Sequence, residues 1–225
     1  MRFDEICDQW RSIYEKNLPL ILVPSLILVV LAICNFGKPA TSYQKGSLSD
    51  TGFESEYLDL RFTLPDGFVM ATEEELQALL EQDFEQKALI AQSTLPTGRL
   101  RAARGSNNTD FVYEMKVTAA NWGVTVTVCT EIRVYETTEQ YFAGTKQLLQ
   151  RLSDYNYTTD DEITTVEIAG YSYEKMTFST VVHGYRIIQK QLVRTLDNRV
   201  VVFTITSMSG TDDELDTLMA GFSQF

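Results

Sequence analysis

A long uncharged and strongly apolar run near the start of the chain constrains its architecture more than any other feature. Residues 17 to 37 contain no charged side chain, and the segment from Leu18 to Cys34 reads LPLILVPSLILVVLAIC. As a helix, that segment would span about 26 Å, close to the hydrocarbon thickness of a thin bilayer. Pro19 falls in the first turn, and Pro24 predicts a kink that a membrane helix tolerates. We therefore predict one transmembrane helix over residues 17–36.

The cysteine at the end of this run allows three interpretations: an uncleaved signal anchor, a lipoprotein, or a cleaved signal peptide. A lipoprotein signal has a small residue directly before the cysteine, whereas Ile33 precedes Cys34. A cleaved signal peptide has small residues at the third and first positions before the cut. The stretch CNFGKPATS offers no clean pair of that kind. The signal anchor is favoured, while lipidation and cleavage stay open.

Residues 1 to 16 precede the predicted span and carry an amphipathic helical pattern. The apolar stripe, at helical spacing, consists of Phe3, Ile6, Cys7, Trp10, Ile13 and Tyr14. Such a helix could lie in the membrane interface or contact a partner helix. Three basic residues lie before the span, which favours a cytoplasmic amino terminus by the positive-inside rule. We predict a short cytoplasmic tail, and a C-terminal domain outside the cytoplasm.

The chain after the tail is strongly acidic. The whole sequence has 19 Lys and Arg against 31 Asp and Glu, a net charge of −12. The first 16 residues hold three basic and four acidic side chains, so the remainder holds 16 and 27, a net charge of −11. A field of that sign repels phosphate backbones, and no stripe of Lys and Arg in the sequence offsets it. We therefore predict no nucleic-acid partner, and repulsion from an anionic lipid surface.

The pattern after the span predicts a linker followed by one large domain. Residues 37 to 56 are rich in Gly, Ser and Thr and have no hydrophobic period, which predicts a flexible linker. From residue 57 onward, alternating apolar residues predict strands at 57–64, 111–119, 124–134, 164–169, 171–180, 185–196 and 199–208. Thr72, Thr137 and Thr211 stand where helices would begin. This order predicts an α+β domain over residues 57–225: a mostly antiparallel sheet flanked by helices, an α/β/α sandwich.

Few residues of the chain have catalytic potential. The one histidine, His183, lies beside a glycine in a predicted hairpin turn, where histidines are usually solvated. Cys129 lies in the middle of a predicted strand, away from the helix N-terminus or basic neighbour that activates a thiol. The sequence contains no GxGxxG, P-loop, HExxH or GxSxG motif. We assign no catalytic or cofactor-binding residue, and no cofactor.

One acidic stretch, DYNYTTDDEITT, has part of a calcium-loop pattern, with oxygen-bearing residues at alternate positions: Asp154, Asn156, Thr158 and Asp160. It lacks the glycine and the final glutamate of such a loop, since Thr159 and Thr165 occupy those positions. We therefore assign no metal ligand. A set of aromatic residues could form a stacking surface or simply pack in strands: Trp122, Tyr171, Tyr173 and Tyr185.

Three features together resemble the PsbP-like fold. They are the opening strand and turn LDLRFTLPDGF, the hairpin IAGYSYEKM, and an acidic-capped terminal helix after a β-meander. That fold occurs in a photosystem accessory subunit and in many membrane-tethered bacterial domains. The resemblance covers roughly residues 57 to 225. It implies an accessory binding module rather than an enzyme, and it transfers no functional residue to this chain.

These observations favour a single-pass, membrane-anchored and non-catalytic domain that binds a protein partner at the cell envelope. The anchor, the linker and the lack of a catalytic motif in the sequence support it. Two other functions stay open. The domain could sense a small ligand or a cation and signal through the span, or it could be a hydrolase that uses an Asp/Glu pair alone.

Overall fold

The structure, a computed structural model, describes residues 43–81, 111–121, 123–132, 137–151, 157–160, 162–182, 184–208 and 212–225. The predicted tail and span lie outside these ranges, as do His183, Trp122 and the first part of the predicted calcium loop. Within the described ranges, no helix is both long enough and apolar enough to cross a bilayer.

The centre of the domain is an antiparallel sheet with eight described strands. They are β4 (Phe68–Met70), β5 (Phe111–Ala119), β6 (Val124–Ile132), β7 (Thr158–Thr159), β8 (Thr164–Ile168), β9 (Tyr171–Val182), β10 (Tyr185–Leu196) and β11 (Arg199–Met208). The spatial order is β4-β5-β6-β11-β10-β9-β7, with β8 also paired to β9. The bounds of β5, β6, β8, β9, β10 and β11 agree closely with the predicted strands because clear turns, such as AGY and LDN, separate the alternating runs; the short strands β4 and β7 were not predicted.

A second, smaller antiparallel sheet has the order β1-β2-β3-β12. Its strands are β1 (Ser47–Ser49), β2 (Gly52–Ser55), β3 (Leu60–Thr63) and β12 (Phe222–Ser223). The flexible-linker prediction for residues 37–56 is therefore wrong for residues 47 to 55. Their polar sequence has no alternating apolar pattern that would predict strands. The strands are held by pairing to β3 and by the buried ring of Phe53. Gly52 permits this pairing, since a Cβ atom there would lie 2.0 Å from the carbonyl oxygen of Phe62.

Three helices are described: α1 (residues 73–81), α2 (Thr138–Arg151) and α3 (Asp212–Met219). The predicted capping box of α1 is confirmed, because the Glu75 N–H donates to Thr72 Oγ1 at 3.2 Å and the Thr72 N–H donates to Glu75 Oε2 at 2.8 Å. Helix α3 ends at Met219. Phe222 belongs to β12 and not to the helix, because the chain turns at Gly221 and pairs with β3.

Both faces of the large sheet contribute to a hydrophobic core. On one face, Val126, Leu192 and Phe203 pack against the small sheet and α3. On the other face, Val202 packs with residues of α1 and α2. The predicted α+β class and antiparallel sheet are thus confirmed, but the predicted α/β/α layering is only partly right. One outer layer consists of a second sheet together with α3, because segments that look like linker and turn in the sequence pair with each other in space.

Candidate functional site

A buried polar cluster joins the first described residues to the large sheet. Glu114 lies at a bulge in β5 and has no exposed surface. Its Oε1 accepts hydrogen bonds from the Tyr43 hydroxyl at 2.7 Å and from Thr130 Oγ1 at 3.0 Å, and its Oε2 accepts one from the Gly46 N–H at 3.0 Å. Burial raises the pKa of Glu114, although these three hydrogen bonds oppose the shift. The cluster therefore fastens residues 43–46, called the strap below, to the domain.

Aromatic and cationic groups complete the attachment of the strap. The Arg199 guanidinium carbon lies 3.9 Å from the centre of the Tyr43 ring, and the Tyr57 ring meets that ring edge-on at 5.2 Å. Burial and the neighbouring Glu114 raise the pKa of Tyr43, so its hydroxyl stays a donor at neutral pH. Gly46 leaves no room for a side chain, because a Cβ atom there would lie 2.3 Å from the Phe53 ring. The contacts of these groups point to a structural role.

Of the tyrosines considered for a stacking surface, Tyr171 and Tyr173 are used for internal packing, whereas Tyr185 is 39% exposed. The Arg194 guanidinium carbon lies 4.0 Å from the Tyr171 ring centre and 5.3 Å from that of Tyr173, and Nη2 donates to the Leu58 carbonyl at 3.0 Å. The Tyr171 hydroxyl donates to Asp59 Oδ2. Desolvation raises the pKa of Tyr173 to about 12. This cluster locks the loop before β3 onto β9 and β10.

The remaining sequence candidates are separated in space. Cys129 is 1% exposed and belongs to the core beneath α1 and α2. Thr158 lies in β7, where its hydroxyl lies 3.0 Å from Ser179 Oγ, and Asp160 is exposed just after that strand. In the part of the chain that the structure describes, no three His, Cys, Asp or Glu side chains are grouped to hold a metal ion.

An open groove of about 410 Å³ lies between α3 and the turns before β4 and after β5. Its lining includes Asp66, Phe68, Asn121, Asp213 and Glu214. The Asn121 amide donates to Glu214 Oε1 at 2.8 Å, so this carboxylate serves to hold α3 to the turn after β5. The groove is shallow and acidic, and its carboxylates form no metal-binding group among the described residues.

One face of the β9–β10 hairpin brings three basic residues together. In the register of the pair, Lys175 lies opposite Leu192, Lys190 opposite Thr177, and Arg186 opposite Val181. Alternation along β10 places Lys190, Ile188 and Arg186 on the same face as the core residue Leu192, progressively closer to the hairpin turn. Lys175 and Lys190 are diagonal neighbours, about 7–8 Å apart. Lys175, Val181, Arg186, Ile188 and Lys190 are called the hairpin face below.

The hairpin face is accessible in part, and its cations form no ion pair with the residues that the structure describes. Val181 is 66% exposed and Arg186 is exposed, while Lys175, Ile188 and Lys190 are half-buried. Among the described residues none of the three cations forms an ion pair. Lys45 and Arg61, elsewhere on the surface, do pair with Glu73 and Glu54. Two further apolar residues are exposed: Tyr185, the first residue of β10, and Ile163, directly before β8.

The sequence alone does not reveal this surface. Lys175 and Arg186 are eleven positions apart in the chain, so the acidic domain shows no basic stripe in linear order. The antiparallel register removes that separation. The one local signal is the alternation of cation, apolar residue and cation at Arg186, Ile188 and Lys190. It indicates only the part of the surface that β10 contributes.

The β9–β10 hairpin turn and the strap lie at opposite ends of β10. The Tyr57 hydroxyl, next to Tyr43, contacts the carbonyl of Leu196 at the last position of the strand. Arg186 lies ten residues earlier, which corresponds to about 33 Å along an extended strand. The chain therefore joins the domain at one end and exposes the basic hairpin at the other.

No protein-family model matches this sequence, and no curated protein matches it significantly. Solved structures do show similar folds. Cyanobacterial PsbP (CyanoP) from Synechocystis sp. PCC 6803 matches 84% of this chain and 99% of its own, with 11% identity and a TM-score of 0.43. LpqN of Mycobacterium tuberculosis, involved in cell envelope biogenesis, matches 51% of this chain and 78% of its own, with 11% identity and a TM-score of 0.32.

A Pseudomonas aeruginosa protein of unknown function matches 42% of this chain and 69% of its own, with 12% identity and a TM-score of 0.30. The chain thus has a weak resemblance to the PsbP-like fold, as the sequence predicted. Because all three TM-scores lie between 0.30 and 0.43, function has to be inferred from the residues of this chain.

Proposed function

We propose that this protein is a single-pass, membrane-anchored and non-catalytic domain, displayed outside the cytoplasm, that binds a protein partner through the hairpin face. The observation that carries the proposal is the hairpin face itself. A chain with a net charge of −12 brings together three cations, one exposed and two half-buried, that pair with no described carboxylate, next to an apolar side chain that is 66% exposed. An exposed surface that combines apolar and charged groups in this way is typical of a binding site.

The strap supports an arrangement in which the hairpin face points away from the membrane. The predicted span ends at Phe36, seven residues before Tyr43, so the intervening chain reaches at most about 25 Å. Tyr43 is fastened to the end of the domain opposite the hairpin. A partner in the extracytoplasmic space would meet the hairpin face first.

The described polar clusters support a binding role rather than a catalytic one. Glu114 and Tyr43, whose pKa values are raised, donate or accept hydrogen bonds inside the strap attachment. Arg194 and its tyrosines hold the loop before β3. The sensor and hydrolase alternatives rest on the sequence alone.

Site-specific photo-crosslinking tests the proposal. A photo-crosslinking amino acid replaces Val181 in the full chain, and irradiation of native membranes is followed by detection of adducts. The matched control carries the same amino acid in place of Val69, which is 60% exposed on the edge strand β4. We expect a discrete adduct with one protein at position 181 and none at position 69. No adduct at position 181, or the same adducts at both positions, would refute the proposal.

A further inference from the structure

We infer that the partner presents an acidic polypeptide segment to the hairpin face, with an apolar side chain placed among its carboxylates. This inference rests on the proposed function and specifies the chemistry of the partner. The charge, the hydroxyl groups and the apolar residues of the hairpin face support it.

The charge of the hairpin face requires a partner of opposite sign. Lys175, Arg186 and Lys190 lie on one face of the paired strands β9 and β10 within the large sheet, and they form no ion pair with another described residue. Asp160 and Glu162 lie near β7 and β8 but do not pair with these cations. The strands fix the backbone positions of the three cations before binding. Less conformational entropy is therefore lost when a partner's carboxylates bind.

Hydroxyl groups next to the cations add hydrogen-bond donors. Arg186 Nη2 lies 3.5 Å from Ser179 Oγ, which lies 3.0 Å from Thr158 Oγ1. Thr177 lies opposite Lys190 on the same face. Carboxylates accept charge-assisted hydrogen bonds from groups of this kind.

The apolar residues distinguish a polypeptide from a simple polyanion. Ile188 lies between Arg186 and Lys190 on β10, so an apolar side chain is flanked by cations about 7 Å away on either side. Val181 adds a second apolar surface, directly opposite Arg186. A peptide can offer alternating carboxylates and apolar side chains to this pattern, whereas a phosphate polymer offers charge alone.

Position argues against an anionic lipid surface as the occupant. The hairpin face extends from about 13 Å to about 33 Å along β10 from the end of the domain that the strap fastens to the chain, because Lys175 lies opposite Leu192 and Arg186 lies next to the turn. With the proposed anchor preceding the strap, that face is held away from the bilayer. We therefore commit to an acidic protein segment.

The direct test uses the full chain in nanodiscs of neutral phosphatidylcholine and a fluorescent peptide of repeated Glu-Leu-Glu-Ser units. A matched peptide carries Gln in place of every Glu. We expect the Glu peptide to bind more tightly than the Gln peptide. The triple variant Lys175→Gln/Arg186→Gln/Lys190→Gln should lower the affinity for the Glu peptide by at least ~10-fold, since three surface ion pairs are lost.

A second triple variant controls for net charge. Lys45→Gln/Arg61→Gln/Lys146→Gln removes the same number of positive charges from other parts of the surface, and it should leave the affinity nearly unchanged. Equal binding of both peptides, or an equal loss in both triple variants, would overturn the inference. So would binding to phosphatidylglycerol vesicles that depends on the hairpin cations, in the absence of peptide binding.

Crosslinking separates this inference from the proposed function. The adduct at position 181 should disappear in the hairpin triple variant and persist in the control triple variant. If it persists in both, the partner is not held by these charges, and the proposed function stands without the acidic chemistry. If the wild-type chain forms no adduct, the proposed function itself fails and the inference fails with it.

Discussion

Replacing Tyr43 with phenylalanine removes one hydroxyl from the buried cluster and leaves the ring in place. That hydroxyl donates to Glu114 Oε1 at 2.7 Å, and Glu114 has no exposed surface to recruit water in its place. Depriving a buried acceptor of a partner costs about 1–3 kcal/mol. Thr130 Oγ1 still donates to the same oxygen at 3.0 Å, and the Gly46 N–H still donates to Oε2. We therefore expect a loss near the middle of that range, about 2 kcal/mol.

Urea unfolding of residues 37–225, followed by circular dichroism, measures this loss. The matched control is Tyr57→Phe. The Tyr57 hydroxyl lies 3.5 Å from the Leu196 carbonyl, at the limit of a hydrogen bond, so its removal should cost less than about 0.5 kcal/mol. A cost for Tyr43→Phe no larger than that of Tyr57→Phe would refute the conclusion that Glu114 holds the strap. It would also remove the support for a fixed short tether between the proposed anchor and the domain.

Three further results follow from the buried groups. Because burial raises the pKa of Glu114 above its ordinary value of 4.5, the folded state binds this proton more tightly than the unfolded state. The unfolding free energy of the wild type, measured relative to that of Glu114→Gln, should therefore decrease as pH rises from below 4.5 through the raised pKa. A difference in unfolding free energy between the two proteins that stays constant across pH, in urea unfolding, would contradict this. Arg194→Lys should cost about 1–2 kcal/mol of unfolding free energy, because the lysine ammonium is not planar and cannot stack on Tyr171 as the guanidinium does. The exposed control Arg186→Lys should cost almost nothing. Cys129 is the only cysteine in residues 37–225, and its side chain is 1% exposed. It should therefore react with a thiol reagent only after unfolding. Rapid labelling of the folded protein would show that the core is open.

Much of the fold could be predicted because its signals are local. The alternation in residues 185–196 and 199–208 predicts strands whose bounds agree with β10 and β11. The Thr72 capping box needs only residues within one helical turn. The small sheet could not be predicted in the same way. Residues 47 to 55 have weak strand propensity, and they become strands because β3 and the buried Phe53 hold them.

The candidate site depended on contacts between residues far apart in the chain. Glu114 is an acidic residue in a strand, and its sequence neighbours do not show that Tyr43 and Thr130 bind it. The hairpin face needs the register between β9 and β10, since a shift of one residue would turn the cations to the opposite face. The predicted absence of a basic stripe was correct for the linear sequence and did not extend to the folded surface.

Residue patterns a few positions long determined the apolar run, the long strands and the helix starts of this protein, because period and capping depend on neighbouring residues. Composition alone determined its acidic character. Tertiary structure decided which segments pair, which carboxyl is buried and where three isolated cations meet. Those outcomes depend on register and on the exclusion of water, and both arise only when distant parts of the chain pack together.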